Sequence, residues 1–333
     1  MAFSGASGSL PRRVSFVLIP DFSMIAFTAA VEPLRIANRM AGRALYAWRL
    51  LSKDGGSVEA SNGIAVAVDR SLAQVPAEGA ETFDAVILCS GLHAERFRDK
   101  ETIRWLQGQG RGGRDLGALC TGAHILAYAG LLDGYRCTIH WENLPAFRET
   151  FPTIDVHPDL FEIDRDRFTC CGGTAALDLM IHFIAREHGE ALAAKVSEQC
   201  LLDRVRGAQD PQRMPLRLGL ARPAARVRRS VEIMDAHLEE PLKTDALARY
   251  VGLSRRQLER LFRANLGRPP TRFYLERRLE RARQLLCQTD LPVLEVALAC
   301  GFVSASHFSK CYRQTYGRAP RAERRAAQDS FAA

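Results

Sequence analysis

The sequence predicts two folded parts in one chain. The first is an α/β unit with a mostly parallel sheet flanked by helices. The second is an all-α unit built from two tandem helix-turn-helix units. Three observations predict this. Over the first two thirds, apolar runs of strand length alternate with stretches of helical periodicity, as in a parallel sheet covered on both faces. In the last third, a pattern of turn glycine, aromatic residue and Gly-Arg-x-Pro closure is written twice. The positive charge is confined to that repeat. Residues 241–320 hold 15 Lys+Arg against 6 Asp+Glu, a net +9, whereas the whole chain is +8, so the remainder sums to −1.

Length and composition set outer bounds. A chain of 333 residues with 47% hydrophobic content suits two globular domains. No apolar run approaches the ~18 to 20 residues that cross a bilayer, so a cytoplasmic protein with no membrane partner is expected. Small polar residues (Ala2, Ser4, Gly5, Ser7, Gly8 and Ser9) open the chain. They predict a floppy tail rather than a signal peptide, because no charged segment precedes an apolar one. The nine cysteines include no CxxC and no Cys/His metal spacing. They are expected as buried or free thiols in a reducing compartment, with no metal site and no cofactor. Cys170 and Cys171 are adjacent in an expected strand, where their side chains point to opposite faces and disfavour a bridge.

Taken in order, residues 13–19 (Arg-Val-Ser-Phe-Val-Leu-Ile) form a continuous apolar run, read as a strand buried on both faces. A helix follows over about 24–40, in which Pro33 should introduce a kink. Residues 83–89 are a second buried strand and 115–120 a third. The third runs directly into a short helix over 121–130. Residues 136–141 read as another strand. Residues 168–173 form one that turns on Gly172 and Gly173 into a helix with Leu177, Met180, Ile181 and Ile184 on one face. The composition shifts near 205: three prolines, several arginines and few large apolar residues mark 205–225 as a linker. The domains are therefore expected at 11–204 and 226–325. The second starts with a helix bearing Val227, Val231, Met234 and Leu238.

The tandem units are expected at 244–266 and 293–316. In the first, Thr244 is a candidate N-cap, Gly252 supplies a left-handed turn and Ser254 caps the next helix. Leu258, Leu261 and Phe262 share one face, leaving the arginines for others. In the second, Gly301 stands 49 residues after Gly252, and Phe308, Cys311 and Tyr312 form the stripe. Phe262 matches Tyr312, Gly267 matches Gly317 and Pro270 matches Pro320. A helix over 271–288 joins the units. A basic excess of this kind suits a polyanion such as duplex DNA. Helix-turn-helix proteins read bases with the N-terminal part of the second helix. This assigns Arg255, Arg256, Gln257 and Arg260 in the first unit, and Ser306, His307, Lys310 and Arg313 in the second, as candidate DNA contacts. The motif at 299–308 (Ala-Cys-Gly-Phe-Val-Ser-Ala-Ser-His-Phe) and its duplication resemble the DNA-binding domain of the AraC/XylS transcriptional regulators over roughly 226–325. The resemblance implies two recognition helices entering successive major-groove faces on one side of promoter DNA, with RNA polymerase a further expected partner.

In the first domain, Leu119-Cys120-Thr121-Gly122 places a thiol at a strand-to-helix turn. Such an elbow lifts its apex out of the sheet, and the helix end behind it lowers a thiol pKa. The segments at 118–123 (Ala-Leu-Cys-Thr-Gly-Ala), 129–134 (Ala-Gly-Leu-Leu-Asp-Gly) and 138–141 (Thr-Ile-His-Trp), with Glu32, resemble the class I glutamine amidotransferase-like PfpI superfamily. That resemblance puts Cys120 at the nucleophile position with Glu32 near it. The chain departs from the enzymes: Thr121 stands where peptidases of the superfamily carry His, and Ala26 where isonitrile-hydratase relatives carry Asp. The stretch over 27–38 resembles instead regulators that fuse this domain to an AraC-type module. Without a general base beside the thiol, catalysis is not expected. His140 is either a base or a hydrogen-bonded structural residue, Glu32 a site or a structural residue, and Trp141 core or site wall.

The reading is a ligand-responsive, sequence-specific DNA-binding regulator and not an enzyme. Its effector, amino-acid-like or an amine by resemblance, would bind at the C-terminal edge of the sheet against Glu32, Cys120, Thr121 and Trp141. A homodimer is expected. The alternatives are a cysteine-dependent hydrolase or hydratase with a DNA-binding appendage, and a constitutive architectural DNA binder.

Overall fold

The computed structural model describes residues 10–75, 83–212 and 224–332, with side chains described as far as 327. The chain divides into two compact units, Met1–Gln212 and Arg213–Ala333. The expected tail lies outside the described residues, as does most of the expected linker. The early part of that linker is not free: residues 205–212 pack on the first unit. Arg206 donates to the Asp178 carboxylate from its backbone N–H at 2.7 Å and from its guanidinium at 2.6 and 2.9 Å. Leu160 N–H donates to Ala208 O, and Gln212 Nε2 to Asp159 O at 2.8 Å. Arginine, glutamine and glycine give no apolar periodicity, so these polar ties left no sequence signal.

The first unit is built on a seven-stranded sheet. Its strands are β1 (Arg12–Leu18), β2 (Tyr46–Ser52), β5 (Arg70–Ser71), β6 (Ala85–Cys89), β7 (Asp115–Leu119), β10 (Phe161–Asp164) and β11 (Arg167–Cys170). The order is β10-β11-β7-β6-β1-β2-β5, and every pairing is parallel except that of β10 with β11. Short hairpin strands β3 (Val58–Glu59) and β4 (Ala65–Val66) lie outside it. The apolar runs of β1 and β6 are buried throughout because helices cover both faces. On one side pack α1 (Met24–Ala41), α5 (Ala175–His188) and α6 (Glu190–Gln199), around Phe16, Phe27, Leu34, Leu179 and Phe183. On the other pack α2 (Lys100–Arg111), α3 (Gly122–Tyr128) and α4 (Leu144–Thr150), around Val17, Leu88, Leu106, Leu126 and Phe147.

One detail differs from expectation. The strand expected at 136–141 is the short β8 (Arg136–Thr138), and it pairs with β9 (Asp155–His157) in a separate two-stranded sheet. Helix α1 runs through Pro33, which is buried inside it. Burial of that apolar face outweighs the one backbone hydrogen bond that proline cannot donate.

The second unit holds α7 (Ala225–Ala236), α8 (Thr244–Tyr250), α9 (Arg255–Leu266), α10 (Pro270–Gln288), α11 (Val293–Ala299), α12 (Ala305–Tyr316) and α13 (Pro320–Ala332). Val227, Val231 and Met234 of α7 pack with Leu247, Leu258, Phe262 and Phe273. The repeat is physical: Gly267 and Gly317 are left-handed caps of α9 and α12, at φ 68° and 72°. Pro270 and Pro320 then open the next helices. Thr244 is the first residue of α8 rather than its cap, which is Lys243.

Candidate functional site

The first candidate site lies where β6, β7 and β11 end together. Leu119 pairs with Cys89 on one side and Cys170 on the other, so the chain leaves the sheet at Cys120 between two finished strands. Cys120 has φ 59°, left-handed for a residue with a side chain. Asp21 and His93, in the loops that follow β1 and β6, have φ 61° each. Such conformations cost about 1–3 kcal/mol apiece and persist only where the surroundings impose them. Close backbone approach does so here. A methyl group at Gly172 would lie 2.6 Å from Cys120 Cβ, and one at Gly91 would collide with the Asp21 carbonyl. The elbow is further held by Cys120 N–H to Cys170 O at 2.9 Å and by His140 N–H to Cys120 O at 3.2 Å.

The thiol is not activated. It keeps some exposure, yet burial pushes its pKa up to about 12. The Thr121 N–H opposes this, and the nearby Cys171 and Glu142 add to it. The sequence left a helix end that lowers the thiol pKa against a carboxylate that raises it, and burial is the largest influence on Cys120 in the folded chain. Ser23, the N-cap of α1, also reaches the thiol.

The predicted ligands do not all converge. Glu32 stands nine residues past Ser23, about 13 Å further along a helix at 1.5 Å per residue. Its side chain is half exposed and paired with Arg35 at 2.6 Å, and the thiol it influences is Cys200, not Cys120. Glu32 is thus placed with Arg35 and Cys200, on later turns of α1 than the Ser23 end that reaches Cys120. Thr121 is at the elbow but buried, donating to Gly91 O at 2.6 Å, so its hydroxyl anchors the loop after β6. Trp141 is half-buried, its ring tilted against that of His140 at 5.6 Å between centroids. His140 has a pKa lowered by burial, opposed by Glu142, whose carboxylate lies 3.8 Å from Nδ1. The carboxylate near the thiol is therefore Glu142. Sequence reasoning missed it and Ser23. Their signals were an acid directly after the His-Trp pair and a serine before a helical run.

The second candidate site is on the recognition helices. Ser254 Oγ accepts from Gln257 N–H and Gln257 Oε1 from Ser254 N–H, a reciprocal capping box. Gln257 is thereby half committed to its helix. Arg255 pairs with Glu259 at 3.0 Å, whereas Arg256 and Arg260 project from the exposed face of α9. On α12, Ser306, Lys310 and Arg313 line one concave surface with Ser309 and Gln314, two residues the sequence reading did not assign. His307 is exposed but held, its Nε2 3.4 Å from Cys311 Sγ and its ring against Phe302.

A mostly parallel α/β sheet with a cysteine elbow, in one chain with two helix-turn-helix units that have basic exposed faces, is the make-up of a DNA-binding transcriptional regulator. The chain belongs to the DJ-1/PfpI-containing, AraC-type family of helix-turn-helix transcriptional regulators. Residues 12–186 match the DJ-1/PfpI family and residues 247–326 a helix-turn-helix domain. The HTH-type transcriptional regulator GbdR of Pseudomonas aeruginosa is 49% identical over 94% of this chain and 84% of its own length. The HTH-type transcriptional regulator GlxA of Rhizobium meliloti is 38% identical over 98% of this chain and 99% of its own. Among solved structures, an AraC family transcriptional regulator from Pseudomonas putida is 33% identical, with a TM-score of 0.52, over 57% of this chain and all of that one. No helix among the described residues is long and apolar enough to cross a membrane.

Proposed function

We propose that this regulator binds a cationic, amino-acid-like or amine effector at the strand-end site and does not turn it over. The observation that carries this is the pairing of an unactivated thiol with a carboxylate beside two aromatic rings. A thiol held near pKa 12 is almost wholly protonated at neutral pH, and no imidazole is among the main influences on it. Glu142, with His140 and Trp141 beside it, offers instead a negative charge and ring faces, the chemistry that recognises an ammonium or guanidinium group. Cys120 and Ser23 supply small polar contacts at the elbow, and Thr121 holds its shape.

Occupancy of that site would govern promoter binding by Arg256, Arg260, Ser306, Lys310 and Arg313, with Arg255, Gln257 and His307 orienting the helix starts. Two recognition helices per chain suit a homodimer on paired half-sites, from which RNA polymerase would be contacted. The test is a thermal-shift screen of amines and amino acids on the full chain, followed by mass spectrometry of the hit after incubation. Wild-type protein should return the ligand unchanged, and Glu142→Gln should lose the shift while still binding DNA. Catalytic loss of ligand that vanishes in Cys120→Ser would replace this reading with a cysteine-dependent hydrolase.

A further inference from the structure

Away from the elbow, the small β8–β9 sheet and the start of β10 bring together a donor set that nothing above uses. His157, Asp159 and Glu162 each offer a ligand atom, and those atoms lie within 4.8 Å of one another. Glu162 is 8% exposed. Its carboxylate lies within 4.8 Å of that of Asp159 and takes Arg136 at 3.1 Å on Oε1. Two carboxylates at that range repel unless a proton or a cation lies with them. Arg136 answers only one of them, and its side chain is itself half exposed. A separate observation points the same way. His157 Nε2 is shielded from solvent and makes no hydrogen bond. Its nearest charged neighbour is Asp155 Oδ1, at 2.9 Å. Three carboxylates, those of Asp155, Asp159 and Glu162, stand against one guanidinium.

We propose that His157, Asp159 and Glu162 form a binding site for one divalent transition-metal ion, with water completing its shell. One imidazole and two carboxylates are a mixed nitrogen and oxygen donor set, suited to ions of the manganese-to-zinc class. They suit Mg2+ less, since it prefers oxygen alone. The spacing is compact in sequence, His-x-Asp-x-x-Glu, with β9 supplying the imidazole and β10 the buried glutamate. The site would be structural. Asp159 O is the acceptor for Gln212 Nε2 and for the Thr138 hydroxyl, so an ion on the Asp159 carboxylate stiffens the turn that holds residue 212.

The test uses the full-length protein, freed of metal by chelation and dialysis, and titrated with MnCl2. Free ion is read by its six-line electron paramagnetic resonance spectrum; manganese is chosen because the nine thiols bind it poorly. Wild type should take up about one ion per chain with saturation. Asp159→Asn and Glu162→Gln should each weaken uptake at least tenfold, and Cys120→Ser should leave it unchanged. Asp159 is only partly buried, so its variant keeps the test open if Glu162→Gln disturbs folding. Absence of saturable uptake by the wild type, or undiminished uptake in both variants, overturns the proposal.

Discussion

Replacing Gly252 and Gly301 by alanine, one at a time, should separate two positions that the repeat makes equivalent. Both sit at the turn of their helix-turn-helix unit with left-handed backbones, φ 65° and 73°. Forcing alanine into that region costs about 1–2 kcal/mol at either place. The surroundings differ. A methyl at Gly252 would meet nothing within 4 Å. At Gly301 it would lie 2.6 Å from Pro241 Cδ and Cγ and 2.7 Å from Glu239 O. A proline ring and a backbone carbonyl cannot swing aside as the end of a flexible side chain does. Overpacking of this kind adds about 1–3 kcal/mol. Arg278, which donates to the Cys300 and Gly301 carbonyls at 2.7 and 2.6 Å, would be displaced with the turn. Hydrogen exchange of peptides covering each unit, read by mass spectrometry on the full chain, measures the difference locally. The extra loss at the second unit should raise its exchange by about 5- to 150-fold over that caused at the first. Equal acceleration by the two variants would refute the argument that close packing, rather than backbone strain alone, reserves Gly301.

Three other outcomes follow from named contacts. Arg206→Ala removes the guanidinium from the 3%-exposed Asp178 carboxylate and should cost the first unit about 3 kcal/mol. Urea unfolding followed by tryptophan fluorescence reports on that unit, since Trp48, Trp105 and Trp141 all lie in it; a loss below ~1 kcal/mol would contradict the assignment. His124 is buried against Phe147 and Phe151, and burial first, then the charge of Arg98, holds its pKa down to about 4 from the usual 6.5. The folded state then binds fewer protons than the unfolded one between those values. Stability should fall as pH drops from 6.5 towards 4, by up to ~3 kcal/mol, and level off below. Thermal melts across that range should show His124→Phe losing less than wild type; parallel curves would refute it. Arg256→Ala should weaken specific DNA binding by about 1–3 kcal/mol and relax base preference. Titration against specific and random duplexes checks this, and an equal loss on both would make Arg256 a phosphate contact.

Much of the molecule was legible because its signals are local. Buried strands on both faces read as continuous apolar runs, hence β1, β6 and β7 within a residue or two of their ends. Turn glycines, capping serine and closing prolines are short-range chemistry, so the duplicated unit could be read from spacing alone, down to the Ser254 cap. The cysteine elbow was legible for the same reason, as a strand running into a helix without a spacer. What only the tertiary structure decided is which side chains from distant segments share a volume and how dry that volume is. Glu32 and Ala26 lie on one helix, and only its docking on the sheet shows that the end bearing Ser23 faces Cys120 while Glu32 faces Cys200. The direction of the thiol shift turned on desolvation, which no single segment encodes. Residues 205–212 read as linker because their ties to Asp178, Leu160 and Asp159 are polar bonds across 28 to 53 residues of chain. Periodicity records only the face an element buries. The partner of a polar group is fixed by the packing of the other elements, and so had to be seen in three dimensions.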